Sequence, residues 1–114
     1  MIYFPLALAV LAHTLPFSGP FPTTTCHVDA AFSSATAGAG SWMSDSAIYR
    51  FADGSLFLSS PDRHEYLYGK LTEIEPHRFT VGYKSVVFRS RSTAVVTHLD
   101  DQEVRILYLR CDPR

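Results

Sequence analysis

Charged residues are scarce in this sequence: they make up 18% of its 114 residues, and the formal net charge is -1. So small a net charge provides no strong field to attract nucleic acid or an anionic membrane surface. Basic residues do interleave with aromatic ones, as in Tyr49-Arg50-Phe51 and Tyr83-Lys84. Because strand alternation explains this pattern without base stacking, we expect no nucleic-acid partner.

The familiar motifs of catalysis and cofactor binding are missing. The sequence contains no G-x-S-x-G, no P-loop and no glycine-rich dinucleotide motif. No two of its five histidines lie two or four residues apart, so no local metal motif exists. We interpret His98 with Asp100 and Asp101 as a solvated turn. We therefore expect a protein that is not an enzyme and holds no metal or cofactor.

Charge is absent altogether from residues 1–28. The apolar run over residues 1–12 has the length of the hydrophobic region of a secretory signal, although no Lys or Arg precedes it. We predict a leader over residues 1–14, most simply a signal peptide, and hence a periplasmic or secreted protein. A buried N-terminal segment is the alternative. Prolines disfavour a membrane span here and make residues 15–25 a proline-rich linker.

Cysteine is limited to two residues, Cys26 and Cys111. In an exported chain, two cysteines most simply form a disulfide. Zinc sites favour closely spaced ligand pairs, and this spacing provides none. We predict a disulfide between Cys26 and Cys111 that joins the two ends of a single domain over residues 26–114.

The sequence shows no apolar stripe of helical period, and turn signals recur along its length. This pattern predicts an all-β fold, a small antiparallel meander or barrel of about seven or eight short strands. Asp53-Gly54 between two apolar runs is a strong hairpin signal. In the centre of the last predicted strand, residues 103–110, apolar residues occupy both odd and even positions. Because successive side chains face opposite sides of a strand, this predicts a strand that is covered on both faces. The other predicted strands lie at 47–51, 56–59, 64–72, 78–89 and 92–98, with one more near Val28.

The stretch from Arg78 to Arg89 has the pattern of an extended chain, but its apolar residues switch from odd to even positions in its middle. Phe79 and Val81 share one parity, whereas Val86 and Phe88 share the other. An apolar set that changes parity requires an irregularity, and Gly82 lies where it must occur. We predict one long strand with a bulge or sharp bend at Gly82, in preference to two short strands joined by a tight turn.

Part of this stretch resembles the periplasmic inhibitors of C-type lysozymes. The resemblance rests on Arg78-Phe79-Thr80 with Gly82, on Val87-Phe88 with Ser90, and on Ala94-Val95-Val96. It implies an exported antiparallel barrel with a disulfide from an early to a late cysteine. The inhibitory loop of that family has a Ser-Gly pair before an aromatic, where this chain has Glu75-Pro76-His77-Arg78. No inhibitory residue is therefore transferred.

Gly40-Ser41-Trp42 is similar to the G-x-W motif of lipocalin-like proteins. That resemblance implies that Trp42 closes the base of a barrel and that a late arginine, Arg105 or Arg110, stacks on it. It also implies a carrier of a small apolar ligand.

Taken together, these patterns favour a non-catalytic binding protein that recognises another protein, as inhibitors do. The predicted partner-binding residues lie in the polar turns over residues 60–64 and 99–102, namely Asp62, Arg63, His64, Asp100 and Asp101. A lipocalin-like carrier and an envelope structural protein without a discrete pocket are the alternatives.

Overall fold

The computed structural model describes residues 21–35 and 40–112, which form ten β-strands. The leader predicted over residues 1–14, and most of the linker, lie outside the described residues. No helix long and apolar enough to span a membrane occurs in the described part of the chain. The strands are β1 (Thr24–Ala35), β2 (Ser41–Met43), β3 (Ile48–Ala52), β4 (Ser55–Ser60), β5 (Arg63–Lys70), β6 (Thr72–Glu75), β7 (Arg78–Val81), β8 (Lys84–Phe88), β9 (Thr93–Leu99) and β10 (Glu103–Asp112).

All ten strands belong to one antiparallel sheet with the order β5-β4-β3-β1-β10-β9-β8-β7-β6, and β2 pairs with β1. The sheet curls into a nearly closed barrel. Its two edge strands, β5 and β6, follow one another in the chain with only Leu71 between them, so the two edges of the sheet lie near each other. The Leu71 amide donates a hydrogen bond to the carbonyl of Gly54. A Cβ built on Gly69 would lie 2.9 Å from Cγ2 of Val81, so the bare glycine lets β5 lie against β7.

The all-β prediction is confirmed, but the predicted number of strands is too low. The strand predicted over residues 64–72 is divided at Leu71 into β5, which pairs with β4, and β6, which pairs with β7. The short strand β2 has no counterpart in the prediction, and it pairs with β1 through Ser33↔Ser41 and Phe32↔Trp42.

The Asp53-Gly54 hairpin is confirmed. Asp53 and Gly54 have φ angles of 55° and 72°, and the flanking residues Ala52 and Ser55 are paired. Two positive φ angles are what a two-residue turn between right-twisted strands requires. The local chemistry of the turn therefore fixes the pairing of β3 with β4.

The prediction of a single bulged strand over residues 78–89 is wrong. The chain reverses at Gly82, whose φ is 58°, and Val81 pairs with Lys84 to close a two-residue hairpin between β7 and β8. Of two residues that pair across a two-residue turn, one has an odd number and the other an even number, as with Phe79 and Val86. The change of parity in the sequence is therefore the signature of the turn itself.

The interior of the barrel is filled by large apolar side chains from strands on opposite sides. The Phe88 ring meets Phe51 at 5.2 Å and Phe79 at 6.3 Å between centroids, both edge to face. Phe51 and Phe79 are fully buried, as are Val86, Val96 and Leu107. Full burial of a side chain of this size stabilises the fold by about 1.5–3 kcal/mol.

The predicted disulfide is confirmed, and it lies within the longest strand pairing of the sheet. Cys26 and Cys111 are directly opposed in β1 and β10, with Cα atoms 3.9 Å apart. They are 85 residues apart in sequence. In the chain-entropy description, closing so long a loop destabilises the unfolded state by about 4.6 kcal/mol.

Candidate functional site

The topology brings the sequence-predicted partner-binding residues to one end of the barrel. The strands β4 and β9 are separated by three strands of an antiparallel sheet, so they run in the same direction. The turns that follow them, at residues 61–62 and 100–102, therefore lie at the same end. The β7–β8 turn at residues 82–83 is also there, because the Leu99 amide donates a hydrogen bond to the carbonyl of Tyr83. We call this the turn end.

At the β4–β5 turn, Asp62, Arg63 and His64 are all exposed. The guanidinium carbon of Arg63 lies 3.8 Å from the centroid of the Tyr66 ring. An exposed arginine stacked on an aromatic ring is held in one orientation, which suits recognition of a partner.

At the β9–β10 turn, Asp100 and Asp101 have different roles. Oδ1 of Asp100 accepts hydrogen bonds from the backbone amides of Gln102 and Glu103, and Oδ2 lies 3.2 Å from Nε2 of His98. The two backbone bonds, together with His98, hold the pKa of Asp100 below its ordinary value. Asp100 therefore shapes the turn, whereas Asp101 is exposed to solvent.

Next to the turn end, the barrel interior changes from apolar to polar. Lys84, His98, Arg105 and Ser33 are successive partners across β8, β9, β10 and β1, so their side chains share the inner face. We call these four residues the polar layer. Two residues further along each strand, away from the turn end, the same four strands contribute a wholly apolar layer: Val86, Val96, Leu107 and Ala31.

One side of the polar layer is neutralised by carboxylates. Glu103 accepts a hydrogen bond from Ser33 at 2.6 Å and pairs with Arg105 at 2.9 Å. These two contacts lower the pKa of Glu103, the Ser33 bond most strongly. Arg105 also lies 3.9 Å from Asp45. Its Nε is buried without a hydrogen-bond partner among the described residues.

Lys84 occupies the other side of the polar layer and is only 9% exposed. Its Nζ lies 3.2 Å from Nδ1 of His98 and 5.2 Å from the centroid of the Tyr68 ring. Within the described chain, no carboxylate approaches Nζ closely enough to form an ion pair. Burial and then the charge of Arg105 lower the pKa of Lys84, while Asp45 opposes them.

Tyr49 is the buried tyrosine beside Lys84, with Nζ 5.7 Å from its ring centroid. Burial and then the charge of Asp45 raise the pKa of the Tyr49 phenol well above its ordinary value. The phenol therefore stays protonated throughout the physiological range and provides a neutral hydroxyl beside the lysine.

The outer surface of the barrel carries an aromatic cluster that the sequence analysis did not single out. Trp42 meets Phe32 edge to face at 5.4 Å and Tyr108 at 6.3 Å between ring centroids. Trp42 is 66% exposed and Tyr108 42% exposed. Ile106 pairs with Phe32 and completes this patch, which we call the aromatic face.

Two predictions about the last strand and Trp42 need correction. The outward side of β10 is not covered at its centre, since Tyr108 is exposed. Arg105 belongs to the inner face whereas Trp42 pairs with outward-facing Phe32, so the two do not stack. Arg110 instead forms an ion pair with Asp29 at 3.1 Å.

The remaining features of the described surface offer little chemistry. Residues 21–35 and 40–112 contain no group of three or more His, Cys, Asp or Glu side chains that could hold a metal ion. A cleft of about 210 Å³ lies at the opposite end of the barrel and is lined by residues 23–25, 50–52 and 112. Drug-sized ligands usually occupy about 300–1,000 Å³, so this cleft is too small for them.

Comparison with protein-family models, curated proteins and solved structures finds no match for this chain.

Proposed function

We propose that this protein is an exported, non-catalytic binding protein that recognises another protein through its aromatic face. The observation that carries the proposal is the cluster of Trp42, Phe32 and Tyr108, which turns two rings into solvent. Outward positions of a one-layer antiparallel sheet are usually polar. Exposed aromatics next to one another are typical of the centre of a protein interface, where Trp and Tyr dominate the binding energy.

The surroundings of the aromatic face also suit a protein partner. The exposed ion pair between Asp29 and Arg110 provides the charged rim that interfaces place around an apolar centre. The interior of the barrel supports this proposal over a carrier, because the contacts of Phe51, Phe79 and Phe88 occupy the space that an apolar ligand would need.

Export is part of the proposal, and the disulfide supports it. A disulfide between Cys26 and Cys111 persists most readily in an oxidising compartment such as the periplasm or the extracellular space. A small antiparallel barrel with an early-to-late disulfide is also the scaffold implied by the resemblance to lysozyme inhibitors. A C-type lysozyme is therefore the first purified partner to test.

The central experiment compares two aromatic surfaces of the same protein. The double variant Trp42→Ser/Tyr108→Ser removes the aromatic face, and Tyr83→Ser removes a 70% exposed tyrosine at the turn end as a matched control. Each protein is titrated against C-type lysozyme and against any partner recovered from envelope or extracellular extracts. We expect the double variant to bind at least about tenfold more weakly, because truncating a hot-spot residue costs about 2 kcal/mol or more and about 1.4 kcal/mol corresponds to a tenfold change in affinity.

Three results would contradict this assignment. Undiminished binding by the double variant would remove the aromatic face from the interface. Loss of binding only in Asp62→Ala/Arg63→Ala/His64→Ala would place the interface at the predicted turn. An apolar small molecule retained in native mass spectrometry, with no protein partner recovered, would favour the carrier.

A further inference from the structure

The chain has two lysines, and they lie in opposite environments. Lys70 is exposed at the end of β5, whereas Lys84 is 9% exposed inside the barrel. Lysine is rarely buried without a partner of opposite charge, because removing an ammonium group from water is costly. Lys84 has no such partner within 4.0 Å in the described part of the chain.

We propose that Lys84 is a nucleophilic amine that binds small aldehydes reversibly, as a Schiff base formed at the turn end of the barrel. This activity is separate from partner recognition at the aromatic face. It involves the inner surface of the barrel and uses none of the residues assigned to that interface.

The hydrogen bonds of His98 prepare it to accept a proton from Lys84. Nε2 of His98 lies 3.2 Å from the carboxylate of Asp100, which can only accept, so Nε2 carries the hydrogen. Nδ1 is then the unprotonated nitrogen, and its lone pair faces Nζ of Lys84 at 3.2 Å. An amine beside a neutral imidazole has a base within hydrogen-bond reach.

The charges around Lys84 favour its neutral, reactive form. Burial and the nearby positive charge of Arg105 lower the pKa of Lys84, and Asp45 opposes them. Desolvation and a second cation are two recognised ways of activating a lysine for attack on a carbonyl group. The ionisable groups that face Lys84 are Tyr49 on β3, Tyr68 on β5, His98 on β9, Arg105 on β10 and Asp45 in the β2–β3 connection.

The reaction needs no oxidant or reductant. Nδ1 of His98 takes a proton from the ammonium group, and the freed lone pair on Nζ attacks the carbonyl carbon. A proton moves from the nitrogen to the carbonyl oxygen to give a carbinolamine. Nδ1 of His98 then returns its proton to the hydroxyl group, which leaves as water. Ammonium and aldehyde thus become protonated imine and water, and His98 is neutral again. The protonated imine remains a cation between the rings of Tyr49 and Tyr68, which stabilise positive charge.

The close packing around Lys84 restricts the substrate to small aldehydes. The Tyr68 ring is wedged between Lys84 and the β7–β8 turn, where a Cβ on Gly82 would lie 3.0 Å from the Tyr68 hydroxyl. The buried Nε of Arg105 belongs to the same polar layer, on the strand beyond His98, and has no hydrogen-bond partner among the described residues.

The two lysines allow an internally controlled test. The folded protein is treated with acetaldehyde and cyanoborohydride near pH 7, and ethylation at Lys84 and Lys70 is quantified by peptide mass spectrometry. Because a lowered amine pKa raises the neutral fraction near pH 7, we expect Lys84 to react several-fold faster than Lys70, although Lys84 is the less exposed of the two. The ratio of the Lys84 rate to the Lys70 rate should approach one in urea. It should also approach one as the pH nears 10.5, the ordinary pKa of lysine.

Variants separate the chemistry from burial alone. His98→Gln keeps a polar side chain but removes the base. We expect the advantage of Lys84 over Lys70 to shrink to what burial and Arg105 alone produce, while the thermal melting curve stays cooperative. The proposal is overturned if Lys84 reacts no faster than Lys70 in the folded protein. A rate advantage that persists in urea, or that His98→Gln leaves unchanged, overturns it equally.

Discussion

At the scale of single residues, burial separates leucines that stabilise the barrel from leucines that do not. Leu107 on β10 is 1% exposed and belongs to the apolar layer next to the polar one, whereas Leu99 at the end of β9 is 60% exposed. Both lie on strands of the same sheet and differ only in what surrounds them. They therefore form a matched pair for measuring the contribution of the core.

We expect Leu107→Ala to lower the free energy of unfolding by about 2–5 kcal/mol, because it removes buried surface and leaves a cavity. Leu99→Ala should change it by less than about 0.5 kcal/mol. Urea denaturation followed by tryptophan fluorescence measures both. Equal effects of the two substitutions would contradict the burial pattern.

Lys84 also predicts a pH dependence of stability. Its pKa is lowered in the folded protein, so below that value both states bind the proton and the full penalty for burying the charge is present. As the pH rises through the lowered pKa towards 10.5, the folded state releases the proton first and the penalty is relieved. We expect Lys84→Met to be more stable than the wild type at neutral pH, with the difference shrinking as the pH rises.

Denaturation curves at several pH values between 7 and 10 test this prediction, with Lys70→Met as the control at an exposed position. A stability difference that is independent of pH for Lys84→Met would show that the Lys84 ammonium is not destabilising in the folded protein.

At the scale of strands and turns, local turn chemistry was predictable, whereas features that depend on residues distant in the chain were not. Asp53-Gly54 identifies its hairpin because the turn depends only on those two residues. The division of residues 63–75 at Leu71 depends on distant neighbours, since β5 pairs with β4 and β6 with β7. Gly82 was identified as the point of irregularity, but parity alone does not distinguish a bulge from a two-residue turn.

The candidate sites were hidden from the sequence for the same reason. Lys84, His98 and Arg105 lie 14 and 7 residues apart in the chain and meet only through the register of three strands. The aromatic face left only an indirect signal, namely apolar residues at both odd and even positions of β10. Whether the outward set is covered depends on a further layer of structure, which no local pattern reveals.

The disulfide acts on one strand pair, β1 with β10. Replacing both cysteines, as in Cys26→Ser/Cys111→Ser, should lower the free energy of unfolding by about 2–5 kcal/mol without changing the far-ultraviolet circular dichroism of the folded protein. Wild-type protein kept reduced by dithiothreitol provides the control and should match the double variant. A loss below about 0.5 kcal/mol would mean that the sheet hydrogen bonds alone define this seam.

At the scale of the whole molecule, the barrel should not open uniformly. The strands β1 and β10 are paired on both sides and bear the disulfide, whereas β5 and β6 each have one unpaired edge. Local opening occurs most readily where backbone groups are solvent-exposed and contacts are few. We therefore expect amide hydrogens of β5 and β6 to exchange fastest and those of β1 and β10 slowest.

Hydrogen exchange followed by nuclear magnetic resonance measures this order directly. Amides of β3 and β9, which are paired on both sides but lack the disulfide, provide the intermediate reference. Protection of β5 equal to that of β10 would indicate a barrel that is fully closed in solution.

The position of Cys26 and Cys111 also determines how the protein responds to mechanical force. A pull applied to residues before Cys26 and after Cys111 is carried by the disulfide between neighbouring strands. The segment between the two cysteines, which are 85 residues apart in sequence, is therefore not stretched. The barrel is thus shielded from tension along its own chain. A single proteolytic cut in any turn between the cysteines likewise leaves both fragments joined.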